Sequence, residues 1–114
     1  GYDFAYVHVE APDEMGHMGS MTDKITAIEN VDGRVVARIT EAMDRSGEDY
    51  RLMILPDHPT PICVRTHTSE PVPYMIYDSR KAIDGIHTYN EKEAAKSTCI
   101  WKDGYRLLDH LLEC

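Results

Sequence analysis

The 114 residues set the scale of one modest domain or a piece of one, and size scaling has such a chain bury very roughly two-thirds of its unfolded surface, enough for a real core. Hydrophobic residues make up 42% and charged residues 28%, an ordinary balance for a soluble globular protein. Twelve Lys and Arg against 20 Asp and Glu leave a formal net charge of −8, which argues against nucleic acid and against an anionic membrane surface as partners.

The N-terminus, Gly1-Tyr2-Asp3-Phe4, has neither the basic region of a signal peptide nor an initiator Met, which raises the question of whether this is a whole protein. Phe4 to Val9 is a short apolar, aromatic and β-branched run that reads as a buried strand, closed by the breaker Ala11-Pro12-Asp13 and followed by a loop. Ile25, Ile28, Val31, Val35, Ile39 and Ala42 or Met43 then recur at three- and four-residue steps, predicting a helix over residues 22–46. Ser20 or Thr22 can cap its start, and Ser46-Gly47 supplies the stop. Arg51 to Leu55 reads as a second strand that halts at Pro56-Asp57. Strand, helix, strand is the βαβ order, and it predicts a parallel pair joined by a right-handed crossover. Residues 57–73 carry prolines with Thr and His between them, the mark of an ordered loop rather than a tether. Tyr74 to Tyr77 reads as a third strand, and residues 79–90 as irregular chain with a turn at Asp84-Gly85. Two short helices close the pattern, Glu91 to Lys96 behind an Asn90 cap and Gly104 to Glu113 with Leu107, Leu108, Leu111 and Leu112 on one face. The class that results is α/β. Cys63, Cys99 and Cys114 are odd in number and lack C-x-x-C spacing, which fits reduced thiols in a cytoplasmic protein.

In an open α/β sheet, ligands bind beyond the carboxyl ends of the parallel strands. Two such ends are followed by an Asp and a His: Asp13 with His17, and Asp57 with His58. The Pro-rich loop adds His67. Carboxylate oxygen and imidazole nitrogen are the donor set for Zn and Mn, and a cation held by Asp, His and His keeps positions open for water or substrate. Asp-x-x-x-His alone is weak, since chance or capping explains it, and an Asp-His pair after a strand can be a simple turn. Two strand ends plus His67 together favour a metal site over either bland reading. His8, inside an apolar run, reads as a core histidine; His87 and His110 read as surface residues, and Met15, Met18 and Met21 as packing. Arg65 either faces a phosphate or is an exposed loop arginine. Cys63 has no basic neighbour that would activate it.

These segments also carry a resemblance. Val7-His8-Val9-Glu10-Ala11-Pro12-Asp13-Glu14-Met15-Gly16-His17, Leu55-Pro56-Asp57-His58-Pro59-Thr60-Pro61, and Arg65-Thr66-His67-Thr68 with Pro71-Val72-Pro73 resemble signature stretches of one family. The pattern continues through Asn90-Glu91-Lys92-Glu93-Ala94-Ala95 and Asp103-Gly104-Tyr105-Arg106-Leu107-Leu108. That family is the archaeal-type 2,3-bisphosphoglycerate-independent phosphoglycerate mutases, within the alkaline phosphatase superfamily. The resemblance implies a three-layer α/β sandwich with a mostly parallel sheet, of which residues 1–114 would be the C-terminal part. It implies a glycolytic isomerase that interconverts 3- and 2-phosphoglycerate through a phosphoserine, using two divalent ions, Mn or Zn, with Mg and Co as further candidates. Asp13, His17 and His67 would hold one ion; Asp57 and His58 would hold the other with an upstream Asp and the nucleophilic Ser. Nucleophile segment and inserted substrate domain would lie outside the chain, so these residues alone are expected to be inactive. A metal-dependent phosphomonoesterase, a homoserine kinase-like member of the superfamily, and a non-catalytic metal-binding or structural fragment remain alternatives.

Overall fold

A computed structural model describes residues 1–81 and 83–113. Residues 1–10 form no regular element and are exposed throughout, with Tyr2, Phe4, Tyr6, Val7 and Val9 facing solvent. The buried strand expected over Phe4 to Val9 is thus corrected to an exposed extended segment. A strand exists only where a neighbour takes up its backbone hydrogen bonds, and none of the described residues pairs with this one. His8 is likewise not a core residue: its side chain is half exposed, its ring stacks with Tyr6, and Nε2 lies 4.0 Å from Glu10.

Helix α1 spans Ala11–Met18, where the sequence read a breaker and a loop. Proline is accommodated in a first helical turn, because its missing N–H would have no partner there. Pro12 takes that place, and Asp13 and Glu14 put negative charge at the positive end of the helix. Gly19, at φ 69°, ends the helix in the left-handed conformation, with its N–H donated to the Gly16 carbonyl at 3.0 Å.

The long helix expected over 22–46 is present as one continuous rod, made of α2 (Met21–Asn30), a π-helical stretch (Val31–Val36) and α3 (Ala37–Ser46). Ser20 is the cap: its Oγ accepts the Asp23 N–H at 3.3 Å. Gly47, at φ 73°, is the stop. The wide middle turns fall on Val31-Asp32-Gly33-Arg34-Val35-Val36, a glycine among β-branched residues, where helix propensity is weakest.

Strands β1 (Arg51–Ile54) and β2 (Met75–Asp78) fall where the sequence placed its second and third strands. They pair with each other, antiparallel, with Arg51 opposite Asp78 and Ile54 opposite Met75. This two-stranded sheet replaces the expected parallel pair of β1 with residues 4–9. The mostly parallel, three-layer arrangement is therefore not formed among the described residues. The described residues between 79 and 90 are irregular as expected, with a turn at Ser79-Arg80 and bends at Lys81, His87, Thr88 and Asn90 rather than a turn at Asp84-Gly85. Helix α4 (Glu91–Ala94) starts at Asn90, whose side chain accepts the Glu93 N–H at 2.8 Å. A 3-10 turn (Gly104–Arg106) leads into α5 (Leu107–Leu112). The Arg51 guanidinium donates to the carbonyls of Leu111 and Glu113 and so ties the end of α5 to the sheet.

Burial is thin. Among the described residues, Ala27 at 8% and Leu107 at 4% exposure are well covered and Pro73 is buried, while Ile25, Ile28, Leu108 and Leu112 stay exposed. The radius of gyration is 15.1 Å, against about 13 Å for a compact domain of this length. The expectation of a full core is corrected accordingly. Runs of helix flank two consecutive strands, and among the described residues the apolar faces lack a layer that would cover them. Cys63 and Cys99 are free and exposed, and Cys114 lies outside the described residues. No helix among the described residues is long and apolar enough to cross a membrane.

Candidate metal centre

Two residues of α1 and one residue of the Pro-rich loop meet at one point. Asp13 and His17 are four residues apart on a helix, so their side chains share a face. His67 arrives from 50 residues further on, carried by a loop that folds on itself: the Pro61 carbonyl accepts the Arg65 N–H at 2.8 Å, and the Pro59 carbonyl accepts the Thr68 N–H at 3.1 Å. Arg65 sits at φ 61°, the left-handed region that a non-glycine residue enters at a cost. That turn points its carbonyl at α1, where it accepts a proton from His17 Nδ1 at 3.0 Å.

The donor atoms of Asp13, His17 and His67 lie within 4.8 Å of one another. His67 Nε2 is 3.1 Å from Asp13 Oδ1, and His17 Nε2 is 3.4 Å from Asp13 Oδ2. The two Nε2 atoms are themselves 3.1 Å apart. With the His17 Nδ1 proton committed to a carbonyl, its Nε2 presents a lone pair toward an Asp oxygen and another imidazole. A carboxylate oxygen and imidazole nitrogens converging in this way suit a divalent ion such as Zn or Mn, and the backbone carbonyl behind His17 is the partner that metal-binding histidines ordinarily have. By donor chemistry, these residues fit the cation.

Asp57 and His58 are adjacent to this group without joining it. Asp57 is exposed, its Oδ2 is 3.3 Å from His58 Nε2, and its Oδ1 accepts the His58 backbone N–H at 3.1 Å. The His58 ring stacks on that of His67, with centroids 3.5 Å apart, so the two sets of potential ligands abut.

One residue in contact with both sets carried no role in the sequence reading. Thr60 is buried, with 4% exposure, and its hydroxyl donates to Asp13 Oδ1 at 2.6 Å while lying 3.3 Å from His58 Nδ1. Its carbonyl accepts from Lys24 Nζ of α2 at 2.6 Å. Gly16 makes room for it, since a Cβ there would meet the Thr60 carbonyl oxygen at 2.4 Å. No spacing rule picks out a threonine between two prolines. The hydrogen bond from Thr60 holds the Asp13 carboxyl below its usual value; burial opposes this, and His17, His67 and His58 add to the lowering. Arg65 is exposed and folds its guanidinium over Gly19; its backbone, rather than its charge, contacts the site.

Comparison with known proteins agrees with the donor chemistry. A family model described as the Metalloenzyme superfamily matches residues 1–112. Among curated proteins, the 2,3-bisphosphoglycerate-independent phosphoglycerate mutase of Methanothrix thermoacetophila is 46% identical over 82% of this chain, and that of Methanosarcina mazei 47% over 79%. A third, 2,3-bisphosphoglycerate-independent phosphoglycerate mutase 2 of Methanothermobacter thermautotrophicus, is 41% identical over 98%. The chain spans about a quarter of these relatives, 24%, 23% and 27% of their lengths. No solved structure matches.

Proposed function

Since the chain belongs to the Metalloenzyme superfamily, we propose that it is the C-terminal part of the metal-binding domain of a phosphotransferase that interconverts 3-phosphoglycerate and 2-phosphoglycerate, a glycolytic isomerisation. The observation that carries this reading is the convergence of Asp13, His17 and His67 within 4.8 Å in a chain so similar to named mutases. Short coverage of those relatives and the thin core support the domain assignment: the exposed apolar faces of residues 4–9 and of α2 are surfaces for the rest of an α/β sandwich. The nucleophilic Ser and the substrate-gripping domain belong, on this reading, to that remainder.

Asp13, His17 and His67 hold one cation, and Asp57 and His58 supply ligands to a second; Mn and Zn suit the donors best. Bound divalent cations there would neutralise a transferring phosphoryl group and activate a hydroxyl nucleophile. The chain's own part is positional. Asp13 stays ionised through its bond from Thr60, the Arg65 carbonyl keeps the His17 proton on Nδ1, and the stacked rings of His58 and His67 hold the two ligand sets in register. Phosphoryl transfer asks mainly for placement and charge neutralisation, and the net charge of −8 ceases to oppose a phosphate substrate once the local field is set by two divalent cations.

The test uses the intact protein: phosphoglycerate interconversion is measured after chelation and again after Mn(II) is restored. Activity should vanish and return. Turnover that survives complete removal of divalent cations would refute the assignment, and phosphate release without interconversion would mark a phosphomonoesterase instead. Residues 1–114 alone should bind cation weakly and show no interconversion.

A further inference from the structure

The loop that carries His67 is fixed to the helices at its near end. Lys24 Nζ of α2 donates to the Thr60 carbonyl at 2.6 Å, and Pro61, Ile62 and Cys63 line a shallow cleft with Met21, Ile25 and Ile28. From there the chain winds through one tight turn, in which the Pro61 carbonyl accepts the Val64 N–H at 3.1 Å and the Arg65 N–H at 2.8 Å. A turn wound in that sense runs on along its own axis unless a residue in the left-handed conformation reverses it. Arg65 is that residue, at φ 61°. Two positions later His67 Nε2 lies 3.1 Å from Asp13, and the Thr68 N–H closes the loop on the Pro59 carbonyl.

Among the described residues, Arg65 is the one with a side chain that adopts a positive φ. Such backbone persists only where the surroundings hold it, and it gathers at ligand clamps and active sites. Arg65 is held on both sides. Its N–H is bonded within the turn, its carbonyl oxygen lies 3.0 Å from His17 Nδ1, and its side chain lies along Gly19, which has no Cβ to bar it. We infer that Arg65 is a positioning residue that acts through its backbone: the reversal there brings His67 to Asp13 and sets a carbonyl against the His17 ring. Ligands 50 residues apart in sequence are thereby assembled in the folded chain itself. The inference rests on the proposal that these residues bind a cation, and it adds what joins the two halves of the site.

The experiment grades position 65 of the intact protein by its tolerance of positive φ. Arg65→Gly and Arg65→Asn adopt it readily, Arg65→Val least readily, and Arg65→Lys keeps the charge at the conformational cost arginine already bears. Mn(II) affinity, measured by calorimetry, should follow that order. Gly and Asn should bind as tightly as wild type or more so, and Val should lose about 10- to 100-fold, the usual cost of removing a partner that orients a ligand. Wild-type affinity in Arg65→Lys with a tenfold loss in both Gly and Asn would overturn the inference, because the guanidinium on Gly19 would then hold the turn. Equal affinity in all four variants would overturn it as well. A second readout needs no cation: hydrogen exchange at the Thr68 N–H should stay as slow as in wild type with Gly and Asn, and quicken about tenfold or more with Val. If Arg65→Val does not fold, Gly and Asn decide alone, and a tenfold loss in either sinks the inference. A wild-type protein that binds no Mn(II) refutes the metal reading, and exchange at Thr68 still decides whether Arg65 sets the turn.

Discussion

Two carboxylates, Asp13 and Asp78, are both held below the ordinary value for an aspartate, and they are built for opposite purposes. Asp78 is closed. Its Oδ2 accepts from Arg51 Nε at 2.8 Å and Arg80 Nη2 at 2.9 Å, and its Oδ1 accepts from the Arg80 N–H at 2.9 Å and Arg80 Nε at 3.1 Å. The Arg80 guanidinium is the larger cause of its depressed value, with Arg51 next. Permanent cations use up its lone pairs, so it cannot serve as a ligand, and it pins β1 to β2. Asp13 instead receives one neutral hydroxyl, and imidazole nitrogens, which can turn lone pairs toward a cation, surround the rest. A low carboxylate value alone does not distinguish them; the chemistry of the neighbours does.

That contrast breaks most directly by exchange of roles. Asp13→Ala should lower Mn(II) affinity by about 100-fold or more, beyond the range typical of an outer-sphere partner. Asp78→Asn should leave affinity within about twofold and lower the thermal midpoint instead. Titration calorimetry and thermal unfolding of the same two variants separate the effects. Comparable affinity losses in both would show that the two carboxylates are not functionally distinct.

The packing beneath Asp13 provides the next test. Gly16→Ala adds a Cβ that would sit 2.4 Å from the Thr60 carbonyl oxygen and 2.9 Å from its Cγ2. Overpacking of this kind costs roughly 1–3 kcal/mol, and it should also weaken Mn(II) binding by pushing Thr60 away from Asp13. Gly33→Ala is the control, because nothing lies within 4 Å of the added atom. It should be neutral or stabilise the long helix by up to about 1 kcal/mol. Equal destabilisation by the two substitutions, read from urea unfolding midpoints, would remove the argument for a close approach at Gly16.

How much of this was legible in the sequence depends on how local the signal was. The rod over 21–46 announces itself through a 3.6-residue period and residues at both ends, Ser20 and Gly47, that serve no other purpose. Asn90 is equally local. Asp13 and His17 stood out by spacing, although their segment was read as loop; Pro12 favours a helix start as readily as it ends a strand. Phe4 to Val9 misled because a short apolar run reports a capacity to be buried, not the presence of a neighbour. The antiparallel partnership of β1 and β2 depends on a 20-residue proline-rich return between Ile54 and Met75, for which no pattern sets direction. Thr60 was invisible for a related reason: a hydroxyl matters only through what the fold places on either side of it.

Acidification probes the closed carboxylate. Asp78 in the folded chain lies below its ordinary value of 3.8, so folding favours its ionised form. Its contribution is fully present above that ordinary value and is lost as pH falls toward the folded-state value. In Asp78→Asn the loss has already occurred, so the fall in thermal midpoint between about pH 4 and pH 2 should be shallower than in the wild type. Asp13 is also held below its ordinary value and contributes with the same sign, so some acid sensitivity should persist in the variant. An identical acid limb in both proteins would mean that the ring of guanidinium contacts around Asp78 adds nothing to stability.

The smallest effect comes from a residue in the same sequence neighbourhood as the site whose hydroxyl bonds only within the first turn of α2. Ser20 accepts the Asp23 N–H at 3.3 Å and donates to Asp23 Oδ2 at 2.7 Å, closing the first turn of α2. Removing such a cap costs about 1 kcal/mol, as Ser20→Ala should show in urea unfolding. One turn further along, Lys24 carries the ammonium that holds the Thr60 carbonyl, so fraying of this turn has a route to the site. That route is weak if the remaining turns of α2 and the contact at Gly16 fix Lys24 and Thr60 together. Mn(II) affinity should then stay within about twofold of wild type while stability drops. A tenfold loss of affinity in Ser20→Ala would place the first turn of α2 inside the functional unit, and the division between structural and ligand-bearing polar groups would have to be redrawn around it.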